Sequence, residues 1–125
     1  MNVFDQIKWN DQGLIPAILH RIIVLMAWMN KEALSKTIET KRCYFYSRSR
    51  NKIWHKGEES GNFHNVVSIL VDCDFDSLLV KVNVKSGISC HTGRNSCFYN
   101  EITDNGDTIN IIEEVLKDPK LIYKK

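Results

Sequence analysis

The chain has 125 residues, 43% of them hydrophobic and 26% charged, with a formal net charge of +2. Such a length and balance suit a single domain with its own core, and so small a charge gives no argument for a nucleic-acid partner. The opening "MNVFDQIKWN" lacks the apolar segment of a secretory signal, and the longest apolar run, "IIVLMAWM" (22–29), is far too short to span a membrane. A cytoplasmic location is therefore expected. In that reducing setting Cys43, Cys73, Cys90 and Cys97 suggest metal binding or catalysis more than disulfides, with simple burial as the plainer reading of each.

In chain order, "GLIPAILHRIIVLMAW" reads as one or two buried strands around Pro16. "NKEALSKTIETK" reads as a helix, with Asn30 as N-cap, Glu32 in the first turn, and Leu34 and Ile38 four apart on one face. "CYFYSRS" is strand-like and "KIWHK" can pair with it across "SRN". "KGEESGN" is a glycine-bearing loop, and "FHNVVSILV" is a strand. In "SLLVKVNV", Leu78, Val80, Val82 and Val84 alternate with Lys81 and Asn83 on the polar face. Turns are expected at Ser86-Gly87 and at Asn105-Gly106. "TINIIEEVLK" reads as a C-terminal helix closed by Asp118-Pro119. These elements predict an α+β fold of one domain (1–125): a mostly antiparallel β-sheet with one internal and one C-terminal helix.

Cys90 and Cys97 bracket the polar loop "HTGRNS", and Cys73 supplies a third thiol. Three protein ligands with one open position is the pattern of a catalytic zinc site, whereas four close a structural one. His91, beside Cys90, is placed to move a proton, which a site of three anionic thiolates needs because it acidifies water less than three imidazoles do. In "VDCDFD" an extended backbone puts Asp72, Asp74 and Asp76 on one face and Cys73 and Phe75 on the other. Asp72 and Asp76 are then about 13 Å apart, too far for one magnesium ion to touch both, so the segment bends, or waters bridge, or only two aspartates bind, or this is a solvated acidic strand end. If "SRSR" is extended, Arg48 and Arg50 share a face and can grip phosphate, or else they protect an edge strand. Lys56 adjoins the loop of Gly57 and Gly61, whose backbone N–H groups can approach an anion.

Taken in order, "GLIPAI", "VLMAWMNKEAL", "SRSRNKIWHKGEESGN", "DCDFD" and "SCHTGRNSCF" resemble the phosphoribosyl-AMP cyclohydrolase family of histidine biosynthesis. The resemblance runs from about Gly13 to Phe98. It implies hydrolytic opening of the adenine ring of N1-(5-phosphoribosyl)-AMP between N1 and C6 by a metal-activated water, as in base deaminases. It also implies an intertwined homodimer with zinc sites shared between subunits. Carried onto this chain, Cys73, Cys90 and Cys97 are the zinc ligands, with Cys73 from the other subunit. Asp72, Asp74 and Asp76 are magnesium ligands, and His91 is the general base. Cys43 matches no ligand position. A substrate with two phosphates gives work to Arg48, Arg50, Lys56 and Arg94.

The chain departs from the family pattern in places. The connection between "PAI" and "VLM" is shortened to "LHRII", Glu59 stands where a small hydroxyl residue is usual, and His64 stands where glutamine is common. Only 27 residues follow Phe98, so no fused pyrophosphohydrolase domain is expected. A zinc nucleobase deaminase is disfavoured because its histidine–glutamate and Pro-Cys-x-x-Cys motifs are absent. A non-catalytic zinc module would need a fourth ligand such as Cys43 or His91.

Overall fold

The computed structural model describes residues 3–20, 23–84, 88 and 90–122. In chain order these form α1 (Val3–Gln6), β1 (Ile15–His20), β2 (Ile23–Met29), α2 (Lys31–Thr40), β3 (Tyr44–Ser47), β4 (Lys52–His55), β5 (His64–Val71), β6 (Leu78–Val84), β7 (Asn100–Ile102), β8 (Ile109–Ile111) and α3 (Pro119–Ile122). The α+β expectation holds. β2, β1, β6 and β5 make a four-stranded sheet in that order, while β3–β4 and β7–β8 are separate two-stranded hairpins. All pairings are antiparallel except β1 with β6, which run parallel.

The buried side chains follow strand alternation. Ile15, Ala17 and Leu19 of β1 and Leu78, Val80, Val82 and Val84 of β6 point into one core with Met29, Leu34 and Phe45. β6 lies between β1 and β5, and its inward-facing residues are those its alternating sequence marks. Pro16 is tolerated because pairing with β6 begins only at Ala17, so its missing N–H leaves no gap in that ladder. β1 and β2 pair antiparallel from Ile15 with Met29 to His20 with Ile23, with a register shift between Leu19 and His20. The expected turn at Ser86-Gly87 lies outside the described residues.

α2 starts where its cap predicts. The Asn30 side chain accepts from the Ala33 N–H at 2.8 Å, and Lys41 closes the helix in the left-handed region at φ 62°. Its buried stripe is Ala33, Leu34 and Thr37, with Ile38 on the exposed rim. Thr37 joins the helix to β3, since its hydroxyl donates to the Ala33 carbonyl (2.8 Å) and accepts from the Tyr44 N–H (3.0 Å).

The expected C-terminal helix is overturned. The "TINIIEEVLK" segment is not a helix, because Ile109 and Ile111 pair as a strand with β7 around the Asn105-Gly106 turn. The chain then continues irregularly to α3. Asp118-Pro119 begins that helix: the Asp118 carboxylate accepts from the Lys120 N–H at 2.9 Å, and proline suits a first position whose N–H has no partner. Of the alternatives for "VDCDFD" the structure takes the bend, because β5 ends at Val71 and the next six residues turn back into β6. Arg48 and Arg50 sit in the turn of the β3–β4 hairpin, so the shared face that an extended "SRSR" would give them is not formed.

Thr37→Val keeps the buried shape but leaves the Tyr44 N–H without its acceptor, so it is expected to lower unfolding free energy by about 1–3 kcal/mol. Urea unfolding checks this; an unchanged midpoint would contradict the role given to Thr37.

Candidate functional site

The acidic turn is built by its own first residue. The Asp72 carboxylate accepts from the N–H groups of Asp76 (3.0 Å) and Ser77 (3.2 Å), and the Phe75 N–H donates to the Asp72 carbonyl (3.1 Å). Phe75 takes φ 61°, and its carbonyl accepts from the Lys8 N–H at 2.8 Å. Bending cancels the separation expected of a strand, and ligand atoms of Asp72, Asp74 and Asp76 lie within 4.8 Å of one another. Opposite ligands of a magnesium ion stand about 4.2 Å apart, so this donor set fits one hard cation. The backbone N–H of Asp76 holds the Asp72 carboxyl below its usual range, while a hydrogen bond donated to the Asp72 carboxylate, desolvation and the charges of Asp72 and Asp74 push Asp76 up. Mutual repulsion of this kind is what a bound cation relieves. Turning the chain also removes the alternation that would have separated Cys73 from the carboxylates, and Cys73 is exposed on the same turn.

The second constellation is the loop after β6. Cys90 is buried and Cys97 exposed as a whole residue, yet their thiols are in hydrogen-bonding contact. Desolvation, the charge of Cys90 and that hydrogen bond push the Cys97 thiol up to about 12, with the Lys56 ammonium pulling the other way. Thr92 donates to Cys90 Sγ at 3.1 Å. Two soft donors facing each other beside a cation fit part of a zinc site, because a coordinated thiol is deprotonated outright. Among the described residues no third His, Cys, Asp or Glu ligand joins them. Cys73 precedes β6 and the pair follows it, so a seven-residue strand spanning about 20 Å separates them.

The C-terminal segment fixes this loop. Gly93 has φ 85°, and a Cβ there would overlap the Lys117 carbonyl oxygen. The Gly93 carbonyl accepts from the N–H groups of Leu116 (2.8 Å) and Lys117 (3.4 Å). Arg94 donates through Nε to the Glu113 carbonyl at 3.1 Å and lies over the Tyr99 ring at 4.0 Å. His91 is exposed at the loop surface, next to Cys90.

The other basic residues surround the β3–β4 hairpin. A cleft of about 860 Å³ is lined by Trp28, Tyr46, Arg48, Asn51 and Trp54 among others, with the Arg48 guanidinium 4.9 Å from the Trp28 ring. A second of about 490 Å³ is lined by Arg50, Lys52, His55, Lys56, Gly57 and Glu59 among others. Arg94 lines neither of these clefts. Burial lowers the Lys56 ammonium, and Cys97, Cys90 and Cys43 oppose the shift, so this lysine belongs to the thiol neighbourhood as well as to the loop. Gly57 is required there, since a Cβ would stand 2.8 Å from the Asn62 backbone at φ 94°.

Sequence reasoning did not single out His55 as a site residue. Its ring stacks on Tyr44 at 4.3 Å, and its buried Nε2 has no hydrogen-bond partner among the described residues. Cys43 is fully buried and its thiol is pushed up to about 12 by desolvation, which fits its exclusion from the ligand set.

Residues 25–99, which include both constellations, match the phosphoribosyl-AMP cyclohydrolase family. Proteins named phosphoribosyl-AMP cyclohydrolase from Burkholderia lata and Burkholderia vietnamiensis are each 50% identical over 127 aligned residues, covering 96% of this chain and 91% of theirs. The corresponding protein of Burkholderia ambifaria is 49% identical with the same coverage.

His64 is fully buried, its Nδ1 3.0 Å from the Asn62 carbonyl, and burial, then the Lys56 charge, lower it from 6.5 to about 4. A lowered pKa means that the folded chain binds fewer protons than the unfolded one between those values. Its contribution is therefore complete above pH 6.5 and lost as the pH falls toward about 4. His64→Gln is expected to flatten stability over that acid range in melts across pH; an unchanged slope would contradict the assignment.

Proposed function

The chain belongs to the phosphoribosyl-AMP cyclohydrolase family, and from that premise we propose how its residues carry out the reaction. It is a hydrolase acting on a cyclic amidine C–N bond in histidine biosynthesis. Among the described residues no helix is long and apolar enough to cross a membrane. The observation that carries the mechanism is the Cys90–Cys97 pair beside Lys56, inside the matched region.

Cys90 and Cys97 of one chain, with Cys73 of a second, hold zinc in the proposed site; Asp72, Asp74 and Asp76 hold magnesium. Bound zinc supplies Lewis-acid activation of water. His91 takes a proton as the water oxygen bonds to C6 of the adenine. The C6–N1 bond breaks with that proton passing to N1, and the second proton of the water goes to the exocyclic nitrogen on C6, so C6 becomes a carboxamide and no ammonia leaves. The N1-ribosyl substituent makes the ring electron-poor and favours the addition. Lys56 offsets thiolate charge, and Arg94 braces the cysteine loop.

A homodimer is part of the proposal. β7–β8 stands apart from the main sheet, with Ile102, Ile109 and Ile111 each more than 60% exposed. β5 is an edge strand that exposes Val67 and Leu70. An isolated two-stranded hairpin is marginal in water and such apolar edges call for cover, which supports a second copy as the cover and as the source of Cys73.

Purified chain with zinc and magnesium is expected to open the ring of phosphoribosyl-AMP, read by the change in ultraviolet absorbance, and Cys97→Ser is expected to lose at least about a thousandfold in kcat/KM. No ring opening by the metal-loaded wild type would overturn the function; near-normal activity of Cys97→Ser would overturn the zinc assignment.

A further inference from the structure

The β3–β4 turn sends its two arginines to different places. The Ser47 hydroxyl accepts from the Arg50 N–H at 3.2 Å and contacts the Ser49 hydroxyl at 3.3 Å, while Asn51 takes φ 56° and bonds to the Tyr46 hydroxyl. Arg48 consequently lines one cleft and Arg50 the other, while Ser47, Ser49 and Trp54 line both. The Arg48 cleft has aromatic walls in Trp28, Tyr46 and Trp54, and among the described residues Arg48 is its only charged lining residue. Laid over Trp28, a guanidinium keeps its in-plane donors available for a bidentate phosphate contact. In the second cleft three cations (Arg50, Lys52, Lys56) face two carboxylates (Glu58, Glu59), and the Lys56 ammonium is the one the Cys90 and Cys97 thiols influence.

Resting on the proposed function, we infer that the hairpin tip divides the substrate's two phosphoribosyl arms: the nucleoside-monophosphate arm on N9 occupies the Arg48–Trp28 cleft, and the arm on N1 occupies the Arg50–Lys52 cleft. N1 and N9 lie on opposite edges of the purine, so the two arms diverge as the clefts do. The bond to be broken joins N1 to C6, so the N1 arm belongs in the cleft lined by Lys56, the cation whose charge the Cys90 and Cys97 thiols feel. His55, in the same wall, offers its unpartnered Nε2 to a ribose hydroxyl. Both clefts are of a size that takes a small ligand.

The test uses the full metal-loaded chain and calorimetric titration with AMP and, separately, ribose 5-phosphate. Arg48→Ala is expected to weaken AMP about tenfold or more and to leave ribose 5-phosphate within about twofold, with Arg50→Ala doing the reverse. Arg48→Lys, which keeps the cation without the planar fork, is expected to show the same selective loss at smaller size and guards against a folding defect. One variant weakening both probes, or neither variant weakening either, overturns the inference. A split as expected in a chain that opens no ring would sink the reaction and leave the two clefts standing; ring opening without the split sinks the clefts alone.

Discussion

β6 sets the geometry of the whole site. This strand lies inside the four-stranded sheet, parallel to β1 and antiparallel to β5, with four of its seven side chains buried. One thiol lies before it, on the acidic turn, and two lie after it, in the loop of Cys90 and Cys97. The seven residues of β6 span about 20 Å of backbone between these two groups along the chain. The zinc site proposed above takes its thiols from two chains, which is in keeping with that separation. The exposed isoleucines of β7 and β8 and the apolar edge of β5 provide surface for that second chain.

Each half of the site is rigidified by contacts that involve no metal. Asp72 closes its turn through two backbone N–H groups, and that turn is held to the N-terminal segment by the Lys8–Phe75 bond. The cysteine loop is held by backbone bonds from Leu116 and Lys117 to Gly93 and by Arg94 reaching Glu113. Such support holds both candidate ligand sets in fixed positions, as the site proposed above requires.

The elements legible in the sequence were those whose signal is local. The period-two pattern of β6, the Asn30 cap and the Asn105-Gly106 turn each state their structure within a few residues. β8 was misread because two isoleucines and a polar residue suit a helix or a strand alike, and the choice is made by pairing with β7. The acidic turn was legible only as one alternative to an extended segment, because alternation describes a strand only where a neighbour pairs with it, and Asp72 instead turned its carboxylate onto the backbone. The site residues were legible as chemical types and by family resemblance. Their grouping was not: Lys56 next to the thiols, and Arg48 and Arg50 in separate clefts, depend on contacts between distant segments.

The central claim is that a complete zinc site takes two chains. Subunit mixing tests it directly, with Cys73→Ser and Cys97→Ser chains unfolded together, refolded at equal amounts and assayed for tightly bound zinc and ring opening. In a symmetric dimer half of the molecules are mixed and each has one intact site, so the account predicts recovery of about one quarter of wild-type sites from two inactive parents. No recovery, in a mixture shown to contain the mixed dimer, would contradict it.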